Sequence, residues 1–197
     1  TSLLCGGLLL SVRFWHEEKQ KIVLRRAFSR YVSPEVVKQI SKRQGDLLAG
    51  ENRELSILFT DIRGFTSLSE SLSPQDVVQL LNRYFTPMTA IVRNRKGTLD
   101  KFIGDALMAF WNAPLDVPGH PALAVDAALC MQEQLEALNV EIEATFGIRL
   151  AMGAGIHTGQ AYVGNMGSDD LINYTLIGDN VNLASRLEGL CKRYGAP

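Results

Sequence analysis

The sequence predicts an α+β fold, a ferredoxin-like β-α-β-β-α-β palm preceded by an N-terminal helix. Three observations lead there. A short alternating strand runs into Thr60-Asp61, two apolar segments flank Gly104-Asp105 as a hairpin would, and two long stretches, from Val77 and from Ala124, keep helical spacing. One helix between the first strand and the hairpin, and another after the hairpin, suit an antiparallel-rich sheet with helices on one face.

The elements follow in chain order. Residues 3–12, LLCGGLLLSV, are almost wholly apolar and end at Arg13, Phe14 and Trp15. Crossing a bilayer takes about 20 residues in a helix. Residues 1–13 therefore read as the end of a transmembrane helix, with the aromatics and HEEKQK at its cytoplasmic edge; the alternative is a short buried helix or a tag remnant. Residues 14–50 read as a signalling helix and linker. Leu24, Phe28 and Tyr31 share one helical face, and Ser33-Pro34-Glu35 restarts a helix with Ser as N-cap and Pro in the first turn. The polar part upstream is a solvated connector or half of a coiled coil.

The main domain covers residues 51–197. Leu55, Ile57 and Phe59 alternate as a strand. Ser73-Pro74-Gln75-Asp76 opens a helix carrying Val77, Leu81, Tyr84, Met88 and Ile91 on one face, with Pro87 inside to kink or split it. The hairpin around Gly104-Asp105 follows. A second helix carries Ala124, Ala128, Met131, Leu135, Leu138 and Ile142. Residues 148–156 and 160–164 read as strands, and 180–194 as a final helix.

Composition narrows the function classes. With 46% hydrophobic and 21% charged residues the chain is neither disordered nor fibrous. A net charge of -1 gives no general attraction to nucleic acid or acidic lipid, so an anion site has to be local. Cys5, Cys130 and Cys191 are widely spaced and read as unpaired thiols of a reducing compartment.

Three constellations carry chemistry. Asp61 ends the first strand and Asp105 tips the hairpin. Singly, they read as a turn or cap residue and a Gly-Asp hairpin residue. Together, beside a central strand, they repel unless a divalent cation compensates them. Magnesium takes one or two carboxylates and completes its shell with water and phosphates, and two such ions can clamp an in-line displacement at phosphorus. Between them, DIRGFTSLSE offers Gly64 for close backbone approach and Thr66 or Ser67 for a helix start, whose N–H groups can meet phosphate. In the third, NYTLIGDNVNLASRLEGL, Asn182 and Arg186 share one helical face, suited to a sugar and a phosphoryl oxygen, while Leu183, Leu187 and Leu190 point elsewhere and can bury. The plain reading of that face is a solvated polar surface. His157 reads as a packed or turn histidine.

LFTDIRGFTSLSE, LDKFIGDALMAFW and YTLIGDNVNLASRLE, in that order, resemble the class III nucleotidyl cyclases, especially bacterial membrane-linked adenylate cyclases. The likeness covers residues 28–197. It implies an adenylate cyclase that converts ATP to 3′,5′-cyclic AMP and pyrophosphate, the ribose 3′-OH attacking the α-phosphorus. By motif position, Asp61, Asp105 and the Ile62 carbonyl would hold two Mg²⁺ or Mn²⁺ ions. The turn of Arg63, Gly64, Phe65 and Thr66 would hold the β- and γ-phosphates. Lys101 and Thr175 would read adenine, Asn182 would orient the ribose, and Arg186 would stabilise the pentavalent α-phosphate. The resemblance further implies a homodimer with shared active sites, an upstream membrane sensor, and placement as the cytoplasmic domain of an inner-membrane protein.

Two departures bear on these expectations. Mammalian adenylate cyclases carry Asp where this chain has Thr175, although Lys with Thr is a common bacterial pairing. The family also continues past the position of Pro197 with further strands and a phosphate-binding Lys, which makes a C-terminally truncated, weakly active form the expectation. The alternatives are a guanylate cyclase, against which Lys101 and Thr175 stand in place of Glu and Cys, and an inactive dimerising signalling module, against which Asp61, Asp105, Asn182 and Arg186 are all present. A diguanylate cyclase shares the palm, but no GGDEF-like hairpin occurs.

Overall fold

A computed structural model describes residues 50–168 and 171–195. The expected membrane-helix end over 1–13 and, but for Gly50, the signalling helix and linker over 14–50 lie outside them. Among the described residues no helix is long and apolar enough to cross a membrane.

Five strands form one antiparallel sheet in the order β2-β3-β1-β4-β5. They are β1 (Glu51–Ile62), β2 (Thr98–Ile103), β3 (Ala106–Trp111), β4 (Met152–Gly167) and β5 (Ile172–Ile177). The helices are α1 (Phe65–Glu70), α2 (Pro74–Asn94), α3 (His120–Phe146) and α4 (Asp179–Tyr194). The first four strands with α2 and α3 make the expected ferredoxin-like palm, with β1 at its centre. Strand β5 and helix α4 extend it.

Strand β1 shows why both faces of the sheet are covered. Leu58 and Ile62 join the core formed with α2 and α3, whereas Leu55 and Ile57 join a second core with Val181 and Ala184 of α4. Successive side chains of a strand point to opposite faces, so α4 lies on the face opposite α2 and α3. The sequence pattern suggested helices on one face only. The alternation of β1 hid the second face, because its polar positions, Ser56 and Thr60, are buried too. Ser56 Oγ lies 2.8 Å from His120 Nδ1 and 2.7 Å from Thr158 Oγ1, clamping the start of α3 to β1 and β4.

Helix α2 starts as expected: Ser73 Oγ accepts from the Asp76 N–H at 3.1 Å, and Pro74 occupies the first turn. It runs through Pro87 as one 21-residue element, so the proline does not split it. Its fully buried seam is Leu80, Tyr84, Met88 and Val92; Leu81 and Ile91 are half-buried on its flanks.

The two strands expected over 148–156 and 160–164 are one, β4. Gly159 falls in the gap between the two expected strands, whereas Gly153 and Gly155 lie inside the first; all three are places where α4 approaches. A Cβ on Gly155 would lie 2.2 Å from the Glu188 backbone nitrogen, and one on Gly159 would lie 2.7 Å from the Asn180 side chain. The Asn180 amide oxygen also accepts from His157 Nε2 at 2.8 Å, and its amide nitrogen donates to the Gln160 carbonyl at 2.7 Å. His157 is thus a packed residue, fixing the start of α4.

The sheet is strongly curled. Strands β2 and β5 are its opposite edges, yet Thr175 of β5 donates to Asp100 of β2 at 2.6 Å. The rings of Phe110 and Tyr174 lie 6.2 Å apart within the same fold of the sheet.

Candidate active site

Strand β1 ends in Asp61 and Ile62, and Gly104-Asp105 forms the β2–β3 turn. The β1–β3 register pairs Thr60 with Leu107; two residues further on it sets Ile62 opposite Asp105. Gly104 adopts φ +64°, a conformation that side chains resist, which is why this turn takes glycine. The Asp105 carboxylate accepts from its own N–H and from that of Ile62, and it reaches the Asp61 carboxyl. Burial first and the Asp61 charge second push Asp105 up to about 6.

Such a pair concentrates negative charge at neutral pH. Among the described residues no cluster of three or more His, Cys, Asp or Glu could cage a metal. Two carboxylates beside a backbone carbonyl instead fit an ion that leaves most of its shell to water and phosphate, as Mg²⁺ does. The donor set therefore suits divalent ions shared with a phosphorylated ligand.

The 63–66 turn follows directly. Arg63 N–H donates to the Ala151 carbonyl at 2.8 Å, and Gly64, at φ +67°, leads into α1. Nothing lies within 4 Å of a Cβ placed on Gly64, so its glycine answers to backbone conformation and not to crowding. Phe65 and Leu68 pack on the core, and no side chain caps α1.

Lys101 and Thr175 come together through a residue between them in neither motif reading, Asp100. Its side chain is 2% exposed, accepts from Thr175 Oγ1 at 2.6 Å, and lies 3.6 Å from Lys101 Nζ. Burial pushes its carboxyl up, and the Thr175 hydrogen bond and Lys101 charge pull it back.

Helix α4 separates two sets of residues. Val181, Ala184 and Cys191 are buried against the sheet, and Glu188 joins them on that side, where its Oε1 would be 2.5 Å from a Cβ on Gly153. Burial and then the Asp61 charge push Glu188 up, while Arg63 pulls it back, so it sits beside the carboxylate pair of its own chain. Asn182 and Arg186 are exposed. Arg186 stands two residues from Glu188, about 200° around the helix, and faces away from that pair. Of the three leucines expected to bury, Leu187 is half-buried, but Leu183 and Leu190 are 39% and 40% exposed. The small and short residues Val181 and Ala184 take the sheet-facing places because Gly155 brings the helix backbone too close for leucine.

The family model described as "Adenylate and Guanylate cyclase catalytic domain" matches residues 48–194. The chain belongs to the adenylate and guanylate cyclase catalytic domain family. "Adenylate cyclase 1" of Rhizobium meliloti is 40% identical over 169 residues, 85% of this chain and 25% of that protein. The chain thus spans about a quarter of that relative's length. Among solved structures, the adenylyl cyclase CyaB from P. aeruginosa superposes with TM-score 0.70 at 39% identity, covering 72% of this chain and 74% of that one. The guanylyl cyclase Cya2 does so with TM-score 0.69 at 38% identity, covering 72% of each. Likeness of this size does not separate the two cyclase activities; local residues have to.

Within this cyclase domain, two residues of the site escaped the sequence reading. Asp100 was legible only as an acid inside a strand with an apolar neighbour on its left. Glu188 was passed over in α4, since nothing in the spacing says which side of that helix meets the sheet.

Proposed function

We propose that this domain is an adenylate cyclase, forming cyclic AMP and pyrophosphate from ATP at sites shared across a homodimer. The observation that carries the base choice is the meeting of Lys101 and Thr175 on one buried carboxylate, from opposite edges of the sheet. An ammonium donor beside a hydroxyl acceptor complements the adenine N1 acceptor and 6-amino donor. Asp61, Asp105 and the Ile62 carbonyl would hold two Mg²⁺ or Mn²⁺ ions, which when bound would offset the carboxylate charge and acidify the attacking hydroxyl. The turn of Arg63, Gly64, Phe65 and Thr66 receives the β- and γ-phosphates. In the reaction a bond forms between the ribose O3′ and the α-phosphorus, the bond from that phosphorus to the pyrophosphate oxygen breaks, and the O3′ proton passes to solvent.

Helix α4 supports the shared site. Asn182 and Arg186 lie on the face turned away from their own Asp61 and Asp105, next to exposed Leu183 and Leu190. Arg186 of the partner subunit then meets the charge that develops on the α-phosphoryl oxygens, and Asn182 of the partner subunit bonds the ribose. The apolar run at 3–12 supports placement of the domain on the cytoplasmic side of an inner-membrane sensor.

Turnover of ATP and of GTP, each with Mg²⁺ and with Mn²⁺, tests the reading. Cyclic AMP and pyrophosphate in equal amounts, with GTP the poorer substrate, is the expected result. GTP turnover equal to or above that of ATP would establish the guanylate cyclase alternative, which the similarity to Cya2 keeps in view.

A further inference from the structure

A threonine hydroxyl is an ambiguous reader of a purine. It carries one donor and two acceptor sites, so it can accept from the 6-amino group of adenine or donate to the 6-carbonyl of guanine. Nothing in Thr175 alone chooses between them. In this structure the choice is already made, because the Thr175 hydroxyl donates its proton to Asp100 Oδ2 at 2.6 Å. An ionised carboxylate is acceptor-only, so the hydrogen bond cannot be reversed while Asp100 is charged. What remains on Thr175 Oγ1 is acceptor capacity.

The setting of Asp100 fits such a role. The β2–β3 register shifts between Leu99 and Lys101, so Asp100 is the extra residue of a β-bulge. Bulges re-aim side chains that a regular strand would hold to its two faces. The Asp100 side chain is almost wholly buried, at 2% exposed, while that of Lys101 is 43% exposed with its Nζ 3.6 Å from Asp100 Oδ1. A buried carboxylate is costly unless paired and hydrogen-bonded. Here both partners that relieve it are the two residues assigned to the base.

We propose that Asp100 determines base specificity: it fixes the Thr175 hydroxyl as an acceptor for a 6-aminopurine and holds the Lys101 ammonium beside it as a donor. This rests on the reading of Lys101 and Thr175 as the base readers. A 6-oxopurine would meet at Thr175 an oxygen that cannot donate, so its carbonyl would gain no hydrogen bond there, and its N1–H would face the Lys101 ammonium, donor against donor. Asp100 is a positioning residue, acting through Thr175 and Lys101 without touching the nucleotide.

The test compares wild type, Asp100→Asn, Thr175→Val, Thr175→Ser and the Asp100→Asn/Thr175→Val double variant. For each, kcat and KM are measured separately with ATP, GTP and inosine triphosphate, which has the 6-carbonyl of guanine without its 2-amino group. Calorimetric affinities for 3′-deoxy-ATP and 3′-deoxy-GTP, which lack the attacking hydroxyl, give a second readout independent of turnover. Asp100→Asn keeps the shape but gives Thr175 an amide with which it can donate or accept. Its ATP preference over GTP and over inosine triphosphate should fall about tenfold or more, mainly through KM. Thr175→Ser should keep the preference, and the double variant should lose no more than Thr175→Val alone. Where Asn does not fold, Asp100→Ser serves with the same expectation.

Equal losses for ATP and GTP in Asp100→Asn, or losses that add in the double variant, would overturn the proposal. If Thr175→Val relaxes the preference and Asp100→Asn does not, the base-reader reading stands and the role of Asp100 is overturned. If Thr175→Val itself leaves the preference unchanged, the base-reader reading falls and takes this role with it.

Discussion

The Ile62 backbone N–H donates to the Asp105 carboxylate, tying the β2–β3 turn to the end of the central strand. There the two acids of the site stand close enough for the Asp61 charge to raise Asp105. The arrangement costs stability, and the cost depends on pH. Asp105 is pushed up to about 6 from an ordinary 3.8, so the folded state holds its proton more tightly than the unfolded state does. Below both values the group contributes nothing. As pH rises through this window the metal-free domain loses stability, and above it the loss is complete.

Asp105→Asn removes the repulsion, so its melting temperature in chelator should match wild type near pH 4 and rise above it progressively toward pH 7. Mn²⁺ should raise the wild-type value at pH 7 and leave that of the variant unmoved. Thermal melts across pH with chelator or Mn²⁺ check this. A variant less stable than wild type throughout would mean that Asp105 serves the fold and not a metal.

Gly155 sets how closely α4 sits on the sheet. A Cβ there would lie 2.2 Å from the Glu188 nitrogen and 2.5 Å from the Ala184 carbonyl oxygen, both of them backbone atoms that cannot rotate away. Gly155→Ala should therefore cost about 3 kcal/mol and lower the melting temperature by about 10 °C. Gly189, on the same helix, has nothing within 4 Å of its Cβ position. Gly189→Ala should be neutral or stabilise by up to about 1 kcal/mol. Denaturant melts of the two variants make the comparison.

Shared sites make a quantitative prediction. Asp105→Ala and Arg186→Ala should each be inactive as homodimers. In a mixed dimer one site collects both lesions and the other none. Equal mixing makes about half the dimers mixed, each with one sound site, so activity should return to about a quarter of wild type. Activity assays after demonstrated subunit exchange decide it, and continued inactivity would place the whole site within one chain.

Base choice should follow Lys101 and Thr175 when both are changed. Lys101→Glu with Thr175→Cys replaces a donor and an acceptor by an acceptor and a weak thiol, and should lower ATP turnover while raising GTP turnover relative to it. Product analysis with both nucleotides checks the ratio. No change would remove these two residues from the base site.

Local order was legible in the sequence. The capping residues Ser73 and Pro74, the helical spacing from Ala124 to Ile142 and the turn at Gly104-Asp105 each depend on residues within a few positions of one another. Propensity, capping and periodicity act at that range, so these elements, the palm they build and the nearness of Asp61 to Asp105 could be read before any coordinates. Only tertiary structure decided the rest. That Gly153, Gly155 and Gly159 mark a helix contact, and that Gly159 does not divide the strand, depends on α4, more than twenty residues later in the chain. That α4 turns Glu188 inward and Arg186 outward depends on which side meets the sheet, and its leucines pointed the wrong way. Most of all, the meeting of Asp100 with Thr175, 75 residues apart, needs the curl that brings opposite edges of the sheet together. Curl sums small twists over five strands and the packing of α4 on the sheet, and no short window of sequence holds that sum.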